Sequence, residues 1–290
     1  MPAESRRVDV RKTYKLFIGG SFPRSESGRT YVVEDAKGRF VANAALASRK
    51  DARDAVVAAR KAFGGWAGRT PYNRGQVVYR VAEMLEGRRA QLADEVARGE
   101  GIAGKRADEA VSAAVDRLVW YAGWADKVAQ VVGTSNPVAG PYFDFTLPEP
   151  TGVVAVVAPQ DSSLLGLVDV VAPAIVTGNT VVVLAAESRP VPAVILGEVL
   201  ATSDVPAGVV NVLTGKVAEV APWLASHMDV NALDLAGVEE PAVARDLEVA
   251  AADNLKRVLR PRAESWDDVP DISRMLWALE TKTVWHPIGV

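Results

Sequence analysis

The chain has 290 residues, of which 49% are apolar and 24% are charged, and its formal net charge is −3. At roughly 150 residues per domain, this length predicts about two domains with a sizeable core. The near balance of 33 basic and 36 acidic residues argues against nucleic acid and anionic membrane surfaces as partners. The chain has no cysteine, which excludes disulfides, thiolate metal sites and a thiol nucleophile supplied by this chain.

The N-terminal segment predicts a small sheet and no export signal. Arg6 and Arg7 are not followed by an apolar stretch long enough for a signal peptide, so we expect a cytoplasmic location. No apolar run in the chain reaches the ~20 residues of a membrane helix. Apolar and β-branched residues predict three short strands, at residues 14–22, 31–34 and 40–43.

Capping signals then mark a helical region. Ser48 and Asp51 have the spacing of a capping box and predict a helix over residues 51–63 that ends at the following glycine pair. Thr70 precedes a proline, which predicts the start of a second helix. Apolar residues at helical spacing predict one long helix over residues 107–131.

The pattern changes at residue 142. Two strand-like runs, 142–147 and 152–158, are joined by a Pro-Glu-Pro-Thr segment, which indicates a hairpin or a corner between two sheets. Strands predicted at residues 153–157, 180–184, 208–212, 232–235 and 257–259 then alternate with helices at 163–176, 191–202, 218–227 and 239–252. Such alternation predicts an α/β fold with a doubly wound, Rossmann-like parallel sheet, in which ligands lie at the carboxyl ends of the strands.

Several strings occur in an order that resembles the NAD(P)-dependent aldehyde dehydrogenase superfamily. They include LFIGGSF, TGVVAVVAP, APAIVTGNTVVV and DVPAGVVNVLTG, and the resemblance covers about residues 13–258. It implies that residues 152–260 form the family's NAD-binding domain and that residues 1–140 supply strands and helices packed on it. Residues 141–158 would then be an oligomerisation hairpin that leads into the first Rossmann strand.

The resemblance also implies a truncated member of the family. Where the family continues into a catalytic domain with a nucleophilic cysteine, this chain has a polar linker at residues 261–272. Residues 273–290 then resemble the family's C-terminal helix turn and last strand. We therefore expect that the catalytic domain has been replaced by the linker.

Two catalytic positions of the family carry unsuitable residues here. The family's glutamate base corresponds to Pro261, which cannot titrate, and the asparagine that stabilises the oxyanion corresponds to Asp161, which is acceptor-only when ionised. With the cysteine also absent, we expect no catalytic residues. An alternative role for Asp161 is that of N-cap for the helix from residue 163.

The cofactor positions are partly kept. The positions corresponding to the family's cofactor contacts are Pro159, Glu187, Gly215 and Gly237, whereas the ribose-contacting lysine corresponds to Leu184. Two further glycines of the family carry side chains here, which obstruct close approach of a phosphate. We expect no bound cofactor, and the alternative is that the chain binds NAD or NADP. Glu187 is then either a cofactor contact or a solvated loop residue. The two histidines lack metal-ligand spacing, so no metal is expected.

The strands that resemble the family's oligomerisation sheet are retained, at residues 142–147, 152–158 and 281–285. Alternation places Thr281, Thr283 and Trp285 on one face of the last strand. The residues expected to mediate assembly are Tyr142, Phe143, Phe145, Thr283, Val284 and Trp285.

These observations predict a catalytically inactive, aldehyde-dehydrogenase-like subunit. It would assemble with a full-length aldehyde dehydrogenase or with itself, and would scaffold or regulate the enzyme. One alternative is an NAD(P)-dependent aldehyde oxidoreductase whose active site is completed by a partner chain. Another is a stand-alone nucleotide-binding module.

Overall fold

The structure is a computed structural model that describes residues 11–289. Arg6 and Arg7 lie outside the described residues, and so does most of the segment on which the export prediction rests. The strands are β1 (Thr13–Tyr14), β2 (Thr30–Glu34), β3 (Phe40–Ala45), β4 (Thr134–Asn136), β5 (Tyr142–Pro150), β6 (Val153–Val157), β7 (Thr180–Leu184), β8 (Val210–Leu213), β9 (Ala232–Asp234), β10 (Arg257–Leu259) and β11 (Leu279–Pro287). The helices are α1 (Arg49–Ala67), α2 (Pro71–Glu86), α3 (Arg89–Glu100), α4 (Gly104–Trp124), α5 (Val128–Val132), α6 (Leu165–Val176), α7 (Val191–Leu200), α8 (Val217–Ser226), α9 (Pro241–Ala251) and α10 (Ser273–Trp277).

The central sheet has five parallel strands in the order β10-β9-β6-β7-β8. Every residue of β6 and β7 is buried, as expected for strands that are covered on both faces. Val154 and Val156 pack into one apolar cluster, and their neighbours Val153 and Val157 pack into the other. This topology confirms the predicted doubly wound α/β fold. The strand order reverses between β6 and β9, which makes the crevice there the expected ligand position.

A small sheet, β1-β3-β2, precedes the central one. The strand predicted at residues 14–22 is strand only in β1, followed by isolated bridges that join Phe17 to Val212 and Ile18 to Ser21. No helix within the described residues is long and apolar enough to span a bilayer.

The helix α1 has the predicted capping box, but it begins at Arg49 instead of residue 51 and ends later than predicted. Ser48 and Asp51 form the capping box, with the Asp51 carboxylate accepting the Ser48 backbone N–H at 2.8 Å. The glycine pair does not stop the helix, which continues to Ala67. Trp66 explains the continuation, because its ring is buried and its indole N–H donates to the Ile175 carbonyl at 2.8 Å. This tertiary anchor outweighs the low helix propensity of glycine, which costs about 1 kcal/mol per residue.

The predicted helix over residues 107–131 is two helices. The chain turns between α4 and α5, and Val128 is buried at the start of α5. At Gly133 an added Cβ would lie 2.4 Å from the Ala129 carbonyl oxygen, so the chain closes tightly at this point. The helix α3, with Leu92 and Val96 buried, was not predicted.

A second sheet, which we call the peripheral sheet, has the antiparallel order β11-β5-β4. Residues 152–158 do not belong to this sheet, so the expected hairpin is wrong, and the alternative, a corner between two sheets, is confirmed. The chain leaves β5 through a corner and enters the central sheet as β6, and the third strand of the peripheral sheet is β4. Gly152 makes the corner at φ +136°, where an added Cβ would lie 2.2 Å from the Asn231 side-chain oxygen.

Candidate functional site

A cleft of about 500 Å³ lies at the carboxyl ends of β6 and β9. Its walls come from the loop after β6, the turn after β9 and the segment after β10. Three of the predicted site residues, Asp161, Gly237 and Pro261, line it together. The structure therefore brings together residues that are up to a hundred positions apart at the expected ligand position of a doubly wound sheet.

Gly237 is required by the close packing of two strand ends. Its backbone N–H donates to the Val157 carbonyl at 2.9 Å. An added Cβ would lie 1.8 Å from the Ala158 carbonyl oxygen, a contact that no real side chain makes. The glycine at this position thus has a structural reason that does not depend on a ligand.

Gln160, which sequence reasoning did not single out, crosses the floor of the cleft. Its side-chain N–H donates to the Ala158 carbonyl at 2.7 Å, and its side-chain oxygen accepts the Glu187 backbone N–H at 3.0 Å. The side chain therefore ties the end of β6 to the loop after β7. These backbone groups are occupied by the protein's own amide.

Glu187 lies beside the start of α8. Its carboxylate accepts the Val217 backbone N–H at 3.3 Å and lies 3.9 Å from the Lys216 ammonium. This arrangement stabilises the helix, because a negative charge complements the positive end of the helix dipole. Gly215 lies one residue before Lys216. Leu184, which the resemblance matches to the family's ribose-contacting lysine, is fully buried and supplies no charge.

Pro159 and Asp161 flank Gln160, and only Pro159 is buried. Asp161 is not the N-cap of the following helix: α6 begins at Leu165, and no side chain caps it at the preceding residue. The Asp161 carboxylate instead accepts the indole N–H of Trp266 at 3.1 Å. The Asp161 carboxylate therefore bonds to a residue 105 positions away and not to the N-terminus of α6.

Residues 261–272, which we call the strap, pack across α4 and α6. The buried Arg117 side chain donates to the carbonyls of Trp266 and Asp268 at 2.9 and 2.7 Å. It also pairs with Asp169 at 2.9 Å, and the hydroxyl of Tyr121 donates to the other Asp169 oxygen at 2.9 Å. Burial raises the pKa of Asp169 even though Arg117 opposes the shift.

A second buried arginine joins the strap to the central sheet. Arg274, in α10, pairs with Asp234 at the end of β9 and with Glu264 of the strap, both at 2.5 Å. Burial alone would lower the pKa of Arg274, but the two carboxylates outweigh it and raise that pKa. Burial alone would raise the pKa of Glu264, but hydrogen bonds from Arg262 and Arg274 lower it.

The sequence contains one sign of this network: charged residues within segments that are otherwise apolar. Asp169 lies in α6 and Asp234 in β9, elements whose other residues are almost all apolar. A charged residue is almost never fully buried unless it is paired. Each aspartate therefore implied a charged partner, but the sequence did not identify which residue it was.

The residues assigned to oligomerisation lie on two faces of the peripheral sheet. The register pairs Val284 with Phe145 and Trp285 with Asp144, so these two pairs face opposite sides. One face is apolar and carries Phe143, Phe145, Leu147 and Val284, with Ser135, Lys282 and His286 at its borders. The other face carries Tyr142, Asp144, Thr146, Thr283 and Trp285.

The two faces also differ in their side-chain contacts. On the second face the Asn136 amide donates to Asp144 and Thr146 at 2.8 Å each. On the apolar face the rings of Phe143 and Phe145 lie 5.5 Å apart, and Phe143 keeps 49% of its surface exposed. The second face also exposes aromatic surface, since Tyr142 and Trp285 keep 42% and 58% of theirs, but its centre is polar, whereas the centre of the other face is apolar.

The comparison with protein families matches residues 22–260 to the family described as the aldehyde dehydrogenase family. The chain belongs to the aldehyde dehydrogenase family. Retinal dehydrogenase 2 of Gallus gallus is 34% identical over 263 residues, which are 89% of this chain and 50% of that protein. An aldehyde dehydrogenase of Davidiella tassiana is 36% identical over 248 residues, 84% of this chain and 49% of that protein.

Solved aldehyde dehydrogenases have the same fold. The NAD+ complex of the Bacillus cereus enzyme superposes with a TM-score of 0.80 at 29% identity, over 85% of this chain and 50% of that one. HpcC of Thermus thermophilus gives 0.81 at 30% identity, over 85% and 47% of the two chains. The chain spans about half the length of the aldehyde dehydrogenases that it matches, and its fold is of their NAD-binding type.

Proposed function

We propose that this aldehyde-dehydrogenase-like chain is a non-catalytic subunit that docks through its peripheral sheet onto a full-length aldehyde dehydrogenase and scaffolds or regulates it. The proposal joins two features of the chain. The residues that would carry out aldehyde oxidation are unsuitable, and an apolar sheet face is left exposed. The second feature carries the proposal, because it points to a protein partner.

The chemistry of the cleft supports a non-catalytic role. The chain has no cysteine, so it cannot form a thioester through a thiol of its own. Pro261 and Asp161 lie at the cleft, where the family resemblance implies a base and an oxyanion donor. A carboxylate at the donor position repels an oxyanion instead of stabilising it, where one donor contributes about 3–4 kcal/mol.

The apolar face of the peripheral sheet supports a protein partner. Phe143 and Leu147 keep 49% and 42% of their surface exposed on the same face, with Phe145 and Val284 between them. Aromatic and aliphatic side chains grouped in this way on a sheet are typical of protein interfaces. Full burial of an exposed side chain of this kind contributes about 1.5–3 kcal/mol, and an interface would gain about half of that for Phe143 and Leu147, which are already half-buried.

We also propose that the cleft does not bind NAD or NADP as the family's enzymes do. The side chain of Gln160 crosses the cleft floor, the Glu187 carboxylate is engaged by Val217, and Leu184 supplies no ribose contact. Calorimetric titration of the chain with each dinucleotide tests this. We expect no saturable heat, and a dissociation constant tighter than about 1 mM would contradict it and favour the oxidoreductase alternative.

Docking is tested by co-expression with a full-length aldehyde dehydrogenase from the same genome, followed by size-exclusion chromatography with mass measurement. We expect one complex at micromolar concentration. Phe143→Asp should abolish it, because the variant places a charge in the apolar face. Thr281→Asp is the matched control, since it puts the same charge on the other face and should leave the complex intact. Separate elution of the unmodified chains would overturn the docking proposal.

A further inference from the structure

The strap is fastened by buried charges, not by regular secondary structure. Arg117 keeps only 7% of its side chain exposed. It donates one hydrogen bond to Asp169 and two to carbonyl groups of the strap. Arg274, also 7% exposed, fastens Glu264 of the strap to Asp234 of the central sheet. Both arginines project from outside the strap and hold it from two sides.

The strap's aromatic residue adds a third attachment. The indole N–H of Trp266 donates to Asp161, and the Arg274 guanidinium lies 5.5 Å from the centre of the same ring. One wall of the cleft at the carboxyl ends of β6 and β9 is therefore made by the strap. On its other side the strap closes a second cleft, of about 390 Å³, against α4 and α6.

We propose that the strap is an intramolecular cover, locked by Arg117 and Arg274, that closes the carboxyl-end face of the central sheet against a domain from another subunit. The polar groups that the strap contacts or covers, Asp161, Asp169, Asp234 and Arg117, are all engaged by the chain itself. A second subunit could bind to the carboxyl-end face only after the strap had opened and these charged groups had been separated. Docking is thereby directed to the peripheral sheet, and completion of an active site in trans is blocked.

The helix α4 contacts the strap through one exposed and one buried arginine, which can be compared directly. Arg106 and Arg117 both belong to α4, and both reach the strap. Arg106 meets Asp267 at 3.5 Å with side chains that are 69% and 72% exposed. Removing such a surface pair costs little, whereas removing Arg117 leaves the buried Asp169 carboxylate and two strap carbonyls without this donor. Of these two α4 contacts, we therefore expect only that of Arg117 to help hold the strap closed.

Limited proteolysis of the full chain measures strap opening. The bond after Arg262 is a trypsin site in the strap, and trypsin needs several residues of extended chain around the bond it cuts. Mass spectrometry follows this cut. We expect Arg117→Met to raise its rate at least about tenfold and Arg106→Met to leave it within about twofold, because cleavage follows the population of the open form. Equal rates in the two variants would overturn the proposal.

A measurement on the unmodified chain covers the case in which Arg117→Met does not fold. We expect the cut after Arg262 to be at least about a hundredfold slower in the protein than in a synthetic peptide of residues 256–270. A rate within about tenfold of the peptide would mean that the strap is open, and would overturn the proposal.

A third measurement repeats the proteolysis in the presence of a full-length aldehyde dehydrogenase from the same genome. It rests on the docking proposal above. In the complex we expect the cut after Arg262 to keep the rate of the free chain within about twofold, because the partner lies elsewhere. A large fall in this rate would place the partner over the strap and contradict the inference. If no complex forms, the docking proposal fails, while the two measurements on the free chain still decide whether the strap is a locked cover.

Discussion

The pair of Arg274 and Asp234 offers the sharpest test of how this fold is held together. Their side chains are 7% and 3% exposed, and their charged atoms lie 2.5 Å apart. Changing Arg274 to methionine keeps the apolar stem but leaves the Asp234 carboxylate buried with one remaining donor, the Ala236 backbone N–H at 2.9 Å. An uncompensated buried charge of this kind costs about 3–5 kcal/mol of the free energy of unfolding. That is a large share of the about 5–15 kcal/mol that stabilises a typical domain.

The assay is urea unfolding at pH 7, followed by far-ultraviolet circular dichroism. Arg260→Met is the matched control, because Arg260 pairs with Glu248 at 2.7 Å with its side chain 74% exposed. We expect the control to lose less than about 1 kcal/mol. The double variant Asp234→Leu/Arg274→Met should regain at least about 2 kcal/mol, since it removes both buried charges. A loss below about 1 kcal/mol for Arg274→Met, or no recovery in the double variant, would refute this account of the pair.

Three further predictions concern single positions. Gly237→Ala should destabilise the protein strongly in thermal unfolding, because its Cβ would lie 1.8 Å from a carbonyl oxygen, whereas Gly123→Ala in α4 has open space and should stabilise it by about 0.5–1 kcal/mol. Ser48→Ala should cost about 1 kcal/mol in the same assay through loss of the α1 cap, and an unchanged midpoint would contradict the cap's role. Hydrogen bonds from the backbone and side chain of Arg39 lower the pKa of Asp35 to about 2. Its folded pKa lies below the unfolded value, so its stabilising effect is present at neutral pH and is lost as pH falls toward 2; an NMR titration midpoint near 4 would contradict this.

The sequence predicted the elements of the central sheet closely, because each depends on local signals. Helix and strand periodicity, capping boxes and proline positions act over a few residues, so α2 begins at Pro71 and β7 covers Thr180–Leu184 as predicted. The positions of Asp161, Gly237 and Pro261 at one cleft also follow from sequence, since the carboxyl ends of parallel strands share an edge.

Predictions were wrong where a distant contact outweighed a local signal. The glycine pair after Phe63 does not end α1, because Trp66 is anchored to α6. Asp161 does not cap α6, which begins only at Leu165, and its carboxylate accepts the indole N–H of the distant Trp266 instead. For α1 the local preference amounts to about 1 kcal/mol for each glycine, which a buried tertiary contact such as the Trp66 hydrogen bond can exceed.

By itself, the sequence determined the order of the strands and helices of the central sheet, the doubly wound fold and the absence of a thiol nucleophile. Only the tertiary structure decided that β4, not residues 152–158, completes the peripheral sheet, and that the buried Arg117 and Arg274 bond to the strap. Arg117 and the Trp266 carbonyl are 149 positions apart, and Arg274 and Asp234 are 40 apart. Local patterns act over about one helical turn or a few strand residues, so the partner of a buried charge is fixed only when the packed chain excludes water around it.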